Sequence, residues 1–163
     1  MGISITYDKK ALAETRRIVR DELDRMKNSS ATTSKIAVAL YQSVMKNFSE
    51  QGTDKVKWKP LAASTIAGRR KGKGGGSARI LQDTGFMRAS IHPESTVFEA
   101  SVGLNGEMAK LGRVHHFGIP SKENPRLAGR NHNVKIPARP FMVLREEYKE
   151  RIMNIVRKDM FPR

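Results

Sequence analysis

Histidine is the first residue type in this chain that could carry chemistry, because its ring nitrogens bind metals and exchange protons near neutral pH. His115 and His116 are adjacent, and His132 lies between two asparagines, so a metal-dependent nuclease is one hypothesis. Adjacent side chains point in different directions on a helix or a strand, and a zinc site needs three or four converging ligands. We therefore expect these histidines to pack and form hydrogen bonds, and we predict no metal and no cofactor.

Acidic residues give no stronger candidate for catalysis. Asp83-Thr84-Gly85 matches the triplet of aspartic proteases, but that mechanism needs two carboxylates and the triplet occurs once. Asp83 is better interpreted as the N-cap of a short helix. The sequence contains no cysteine, which excludes disulfides, thiolate metal sites and a cysteine nucleophile. We therefore predict that the protein is not an enzyme.

Positive charge dominates the composition, since 31 Lys and Arg face 16 Asp and Glu and the net charge is +15. Such a charge attracts nucleic acid, acidic proteins or anionic lipid. It is concentrated in the middle of the chain, at Lys55, Lys57, Lys59, Arg69, Arg70, Lys71, Lys73 and Arg79. A cluster of this kind favours salt-sensitive DNA binding without base recognition. A basic DNA-binding accessory protein is therefore the alternative function.

The elements that must position these residues are mainly helices. Apolar residues recur at helical spacing over residues 8–27 and again over residues 34–50. Asn28-Ser29-Ser30 is expected to break the pattern, so we predict two helices that pack as a hairpin. The same spacing predicts a C-terminal helix over residues 141–160.

Loops and a small sheet account for the remaining sequence. Glycines among like charges predict a flexible loop over residues 68–77, and polar composition predicts another over 121–133. Residues 96–102 favour a strand. We expect a single α+β domain in which the N-terminal helices and the C-terminal helix pack on a small antiparallel sheet. No apolar run approaches the ~20 residues that cross a bilayer, so we expect no membrane contact.

Four separated sequence blocks carry a resemblance to a known family. The first is Trp58-Lys59-Pro60-Leu61, with Thr65 and Arg69-Arg70-Lys71 after it, and the second is Ile80-Leu81-Gln82-Asp83-Thr84-Gly85-Phe86-Met87-Arg88-Ala89-Ser90-Ile91. The third is Val114-His115-His116-Phe117-Gly118, and the fourth is Ile136-Pro137-Ala138-Arg139-Pro140-Phe141. In this order the blocks resemble those of the virion morphogenesis, or tail completion, family of Mu-like tailed phages and prophages.

The resemblance implies a non-enzymatic structural protein that acts in tail completion or head–tail joining. Its partners would be phage tail and neck or connector proteins, and it would form a homo-oligomeric ring on assembly. It would lie in the host cytoplasm during assembly and then in the virion. The basic arm of Arg69, Arg70, Lys71, Lys73 and Arg79 could also contact DNA nonspecifically.

The resemblance also identifies residues that form the core or an interface. They are Trp58, Pro60, Leu61, Leu81, Thr84, Gly85, Phe86, Arg88, Ser90, Ile91, His115, Phe117, Gly118, Ile136, Pro137, Arg139, Pro140 and Phe141. Among them, the large apolar side chains are expected to be core residues: Trp58, Leu81, Phe86, Phe117 and Phe141.

Overall fold

The computed structural model describes residues 9–71, 78–119 and 136–161. The predicted polar loop over 121–133 therefore lies outside the described residues, as do His132, Lys73 and most of the predicted basic loop. Within the described ranges, no helix combines the length and the apolar character needed to cross a membrane.

Five helices and one hairpin make up the described part of the chain. In order they are α1 (Lys9–Glu50), α2 (Ala63–Lys71), α3 (Phe86–Ala89), β1 (His92–Ser95), β2 (Ala100–Gly103), α4 (Gly106–Phe117) and α5 (Glu146–Met160). The C-terminal half of α1 packs against α5 and against both strands, and α3 packs against α4. The predicted α+β class with a small antiparallel sheet is confirmed.

One continuous helix replaces the predicted pair at the N-terminus, so the prediction of a hairpin was wrong. At the expected break, Ser29 Oγ donates a hydrogen bond of 2.7 Å to the Val97 carbonyl oxygen. Thr33 Oγ1 donates one of 2.6 Å to the Thr96 carbonyl oxygen. Serine or asparagine lowers helix stability by only a few tenths of a kcal/mol relative to good helix formers. These contacts with the hairpin turn offset that cost, and the helix continues.

The N-terminal half of α1 projects away from this packing. The helix has 42 residues, which corresponds to a length of about 63 Å at the usual rise. Every residue from 13 to 24 is exposed, whereas Thr33, Ala37 and Val44 are buried farther along. The helix thus joins a buried half to an exposed half.

The end of α1 follows a recognised capping geometry. Gln51 has a positive φ of 56°, and the Gly52 N–H donates a hydrogen bond of 3.0 Å to the Asn47 carbonyl oxygen, the long-range bond of a Schellman motif. The Gln51 side chain then donates to the Phe48 carbonyl at 2.6 Å and accepts from the Ile80 N–H at 2.5 Å. The helix terminus is therefore tied to the start of the second sequence block.

The hairpin differs from the strand predicted over residues 96–102. The strands pair antiparallel with His92 opposite Gly103 and Ser95 opposite Ala100, so the first half of the predicted strand forms the turn. The Thr96 side chain accepts hydrogen bonds from the Phe98 and Glu99 N–H groups, which stabilises that turn. The first strand lacks apolar alternation and contains Pro93, a residue tolerated only at sheet edges.

The C-terminal helix begins five residues later than the predicted 141–160 helix. The extended segment before it binds α1, because Asn47 Nδ2 donates to the carbonyl oxygens of Phe141 (3.0 Å) and Val143 (2.7 Å). Asp54 Oδ2 then accepts the Glu146 N–H at 2.8 Å. A side chain 92 positions away in the sequence therefore caps α5.

The core confirms three of the five large apolar residues predicted to be buried. Trp58, Leu81 and Phe141 are buried with Val44, Phe48, Ile80, Met87 and Ile91. Phe86 and Phe117 are 69% and 72% exposed, so their prediction as core residues was wrong. In each case the neighbouring residue takes the inward position, namely Met87 and His116, whose ring contacts Phe141 with centroids 5.4 Å apart.

Candidate functional site

The four sequence blocks converge on one open groove, which we call the motif groove. It has a volume of about 800 Å³ and includes residues from α2 and α4 as well as the blocks. The residues that the blocks contribute are Lys59, Pro60, Leu61, Thr65, Arg69, Leu81, Asp83, Thr84, Gly85, Phe86, Met87, His115, Ile136, Pro137 and Arg139. Residues separated by 80 positions thus form a single surface.

Arg139 joins the fourth block to the first. Its Nε and Nη2 each donate a hydrogen bond of 3.1 Å to the Lys59 carbonyl oxygen, and Nη2 lies 3.4 Å from the Pro60 carbonyl oxygen. The residue is only 6% exposed. Because the guanidinium binds main-chain oxygens, it fixes the path of the segment that forms one wall of the groove.

The third block is joined to the fourth through the main chain. Ile119 and Ile136 exchange two backbone hydrogen bonds of 2.9 and 3.0 Å, and the Arg139 N–H donates to the His115 carbonyl oxygen at 2.8 Å. Gly118, which directly precedes Ile119, has φ +74°, and a Cβ there would approach the Ala138 nitrogen to 2.6 Å. Only glycine allows this close approach and this backbone conformation.

The second block forms the floor and one rim of the groove. Gly85 has φ +80° and precedes α3, which turns Met87 into the core and leaves Phe86 at the rim. Asp83 was predicted to cap this helix, but Gly85 occupies the N-cap position and no side chain caps it. Asp83 Oδ1 instead lies 3.3 Å from Arg69 Nε, so the prediction was wrong.

The remaining polar residues of the second block form contacts within the protein. Arg88 Nη1 is 3.4 Å from Gln82 Oε1, and Ser90 Oγ donates to the Phe86 carbonyl oxygen at 2.8 Å. Ile91 is buried, whereas Thr84 is exposed. Arg88, Ser90 and Ile91 therefore support the shape of the block, whereas Thr84 and Phe86 are among the residues that it presents to solvent.

Part of the predicted basic arm is helical. Gly68, Arg69, Arg70 and Lys71 form the end of α2, so the flexible loop does not begin at residue 68 as predicted. Arg69 binds Asp83 and donates a hydrogen bond of 3.0 Å to the Arg79 carbonyl oxygen. Through Asp83, Arg69 ties the end of the helix to the second block, a contact that the glycine and charge content of the segment does not reveal.

Positive charge prevails in the motif groove. Lys59, Arg69 and Arg139 line it, and Asp83 is the one carboxylate among the described residues of its lining. Burial, and then the charges of Arg139 and Arg69, lower the pKa of His115 below its ordinary value of 6.5. His115 is therefore neutral at pH 7, and its Nδ1 is buried without a hydrogen-bond partner among the described residues.

The adjacent histidines do not act together. His115 lines the groove, whereas the His116 ring packs between Phe117 and Phe141. Burial lowers the pKa of His116, and its Nδ1 lies 3.4 Å from the Met142 N–H. In the described part of the chain, no group of three or more His, Asp or Glu side chains could hold a metal ion.

An ionic cluster around the buried Arg145 was missed by sequence reasoning. Arg145 lies within 2.6 Å of Glu50, 2.8 Å of Asp54 and 3.7 Å of Glu147, and it donates to Asn47 Oδ1 at 3.2 Å. Its partners come from the end of α1, the following loop and α5. No local pattern in the sequence indicates that these charges meet, because the contacts depend on the tertiary packing of α1 against α5.

Comparison with known proteins identifies the family. Residues 10–160 match the sequence profile of the phage virion morphogenesis family, and the match covers nearly the whole chain. The search of curated proteins and the search of solved structures gave no match. The chain therefore belongs to the phage virion morphogenesis family, as the four blocks indicated, and its role lies in phage virion assembly.

Proposed function

We propose that this member of the phage virion morphogenesis family is a non-enzymatic structural protein that completes the tail or joins it to the head. Its partners are tail proteins and neck or connector proteins. It acts by binding them in stoichiometric amounts, first in the host cytoplasm and then in the virion.

The motif groove is the observation that carries this proposal. Some polar groups of the four blocks bind one another, as in the Arg139–Lys59 and Trp58–Pro140 hydrogen bonds. The residues left facing solvent in the groove include large apolar side chains, above all Phe86 and Leu111. An exposed apolar surface with a polar rim is typical of protein interaction sites. The family's sequence pattern thus builds and presents a binding surface.

The exposed half of α1 supports a homo-oligomeric ring on assembly. Ile18, Val19 and Leu23 are each more than half exposed there. Val19 and Leu23 precede the buried Thr33 and Ala37 by two heptads, so they continue the face of α1 that packs on the body. A projecting apolar face of this kind can pack on a different surface of a neighbouring copy. When such a contact between two different surfaces is repeated from copy to copy, it can close a ring.

Removal of the gene from a viable parent phage tests the proposal. We expect lysates that contain DNA-filled heads and separate tails, or tails with aberrant ends, as seen by electron microscopy. Supplying the protein in trans should restore joined, infectious virions. Normal joined virions in the deletion lysate would contradict the proposal.

A DNA-binding function is the second candidate, favoured by the exposed side chains of Lys55, Lys57 and Lys59 in the loop after α1. Nonspecific binding through such lysines would weaken steeply as salt is raised. A gel-shift titration with duplex DNA over a salt series measures it. Tight binding at physiological salt, together with deletion lysates whose particles are joined but lack DNA, would favour this function over tail completion.

A further inference from the structure

Arg139 is a buried cation with no carboxylate paired to it in the part of the chain that the structure describes. It is 94% removed from solvent, and its hydrogen bonds are to the main-chain oxygens of Lys59 and Pro60. No carboxylate among the described residues forms an ion pair with it. Burial, and then the charge of Arg69, lower the pKa of Arg139. Burial of a cation is costly unless an anion is close by, so a ligand that brings a negative charge would stabilise this site.

The surroundings of Arg139 favour a ligand that is both apolar and acidic. Leu61, Met87, Met108 and Leu111 line the same groove, and Phe86 stands at its rim. Asp83, the carboxylate that lines the groove within the described ranges, is already paired with Arg69. A phosphodiester chain would leave these apolar walls uncovered, whereas a peptide can cover them with side chains and also carry a carboxylate.

We propose that the motif groove binds an extended segment of a partner virion protein in which a carboxylate lies next to large apolar side chains. The carboxylate pairs with the Arg139 and Lys59 side of the groove, and the apolar side chains pack on Phe86 and Leu111. The inference rests on the proposed function, since it names the chemistry of the partner at the tail junction.

Defined peptides test this specificity directly. The probe is a short fluorescein-labelled peptide of alternating aspartate and leucine, and the comparison peptide carries asparagine in place of aspartate. Fluorescence anisotropy with the full chain at physiological salt should show about tenfold weaker binding of the asparagine peptide, because a charge-assisted hydrogen bond is replaced by a neutral one. Equal affinity for the two peptides would overturn the proposal.

Two pairs of variants separate the groove from the general charge of the protein. Lys59→Glu lies in the groove and Lys55→Glu outside it, both side chains are exposed, and the change of charge is the same. Phe86→Ala lies at the rim of the groove, and its control is Phe98→Ala in the hairpin turn, which is 80% exposed. We expect Lys59→Glu and Phe86→Ala to weaken binding of the aspartate peptide about fivefold or more, with little effect from either control. Similar losses in a variant and its control would overturn the proposal.

The two proposals can fail separately. If the aspartate peptide does not bind but deletion lysates hold unjoined heads and tails, only the assignment of the groove is wrong. If the peptide binds in the groove but deletion lysates hold joined virions, the tail-completion function is wrong. If duplex DNA or a second copy of the chain competes with the aspartate peptide, and the same variants weaken its binding, that occupant would replace the acidic peptide segment in the proposal.

Discussion

The indole N–H of Trp58 donates a hydrogen bond of 3.0 Å to the Pro140 carbonyl oxygen, 82 positions away in the sequence. The indole edge also meets the ring of Phe48, with centroids 5.5 Å apart. The first and fourth sequence blocks are thus joined through the core, directly behind the wall of the motif groove. The groove therefore depends on this packing.

Trp58→Ala should lower the free energy of unfolding by roughly 3–5 kcal/mol, because truncation of a buried aromatic side chain leaves a cavity. Trp58→Phe keeps most of the apolar contact but leaves the Pro140 carbonyl oxygen without its donor, which should cost about 1–3 kcal/mol. Urea unfolding of both variants measures these values. A Trp58→Ala protein as stable as the parent would contradict the assignment of Trp58 to the core.

Alanine at three glycines should give a graded series in stability. Gly118→Ala should lower the free energy of unfolding by more than about 2 kcal/mol, because the residue combines a positive φ with backbone atoms closer than 3 Å to the added Cβ. Gly85→Ala has the positive φ but open space around it, so about 1 kcal/mol is expected. Gly103→Ala meets neither obstacle and serves as the control. Thermal or urea unfolding ranks the three, and a different order would refute the account of Gly118.

Arg145→Met should destabilise the junction of α1 and α5. Its removal leaves Glu50 and Asp54 without their shared cation, but both carboxylates are about a third exposed and can regain water. We therefore expect a loss of about 2 kcal/mol, below the value for a fully buried pair. Arg157→Met, an exposed position on the same helix, is the control and should change stability by less than about 0.5 kcal/mol. Equal stabilities of the two variants would show that the cluster contributes nothing.

The stability of the protein should depend on pH through His115. Burial, and then Arg139 and Arg69, lower its pKa in the folded state below 6.5, so the unfolded chain binds the proton more readily. This contribution to stability is present above pH 6.5 and is lost as the pH falls through the folded-state pKa. In urea unfolding from pH 7.5 to 5.5, His115→Gln should lose less stability on acidification than the parent.

His92 provides the control of opposite sign. Hydrogen bonds to the Ser90 carbonyl oxygen and then to Glu94 raise its pKa, so its contribution is present below pH 6.5 and is lost as the pH rises through the folded-state pKa. His92→Gln should therefore lose more stability on acidification than the parent does. Parallel pH profiles for the parent and the His115→Gln protein would contradict the burial assigned to His115.

Periodicity and motif order predicted the features that depend on local sequence. They indicated the α+β class, the helical character of the segments that form α1 and α5, and the family. They failed where tertiary contacts outweigh local preference. Ser29 and Thr33 remain helical because the hairpin turn accepts their hydrogen bonds, and nothing near them in the sequence indicates that turn.

The motif groove could be predicted only in part. The blocks supplied its residues, but the sequence could not distinguish the framework from the exposed surface. Phe86 and Phe117 are large and apolar, as core residues are, yet both are exposed. The left-handed conformation of Gly85 leaves Phe86 outside, and the inward ring of His116 leaves Phe117 outside. The sequence also did not indicate that Arg139 is buried without a carboxylate partner among the described residues, because its burial results from the meeting of segments 80 positions apart.

The most direct test of the account is a titration of joining in vitro. Heads and tails from a deletion lysate are mixed with increasing amounts of labelled purified protein, and infectious titre and label per particle are measured. A structural junction protein should restore titre in proportion to the protein added, saturate at several copies per tail and remain bound to the joined particles. Full restoration by far less than one copy per tail, with no label in the particles, would contradict the account and indicate a catalytic or transient role.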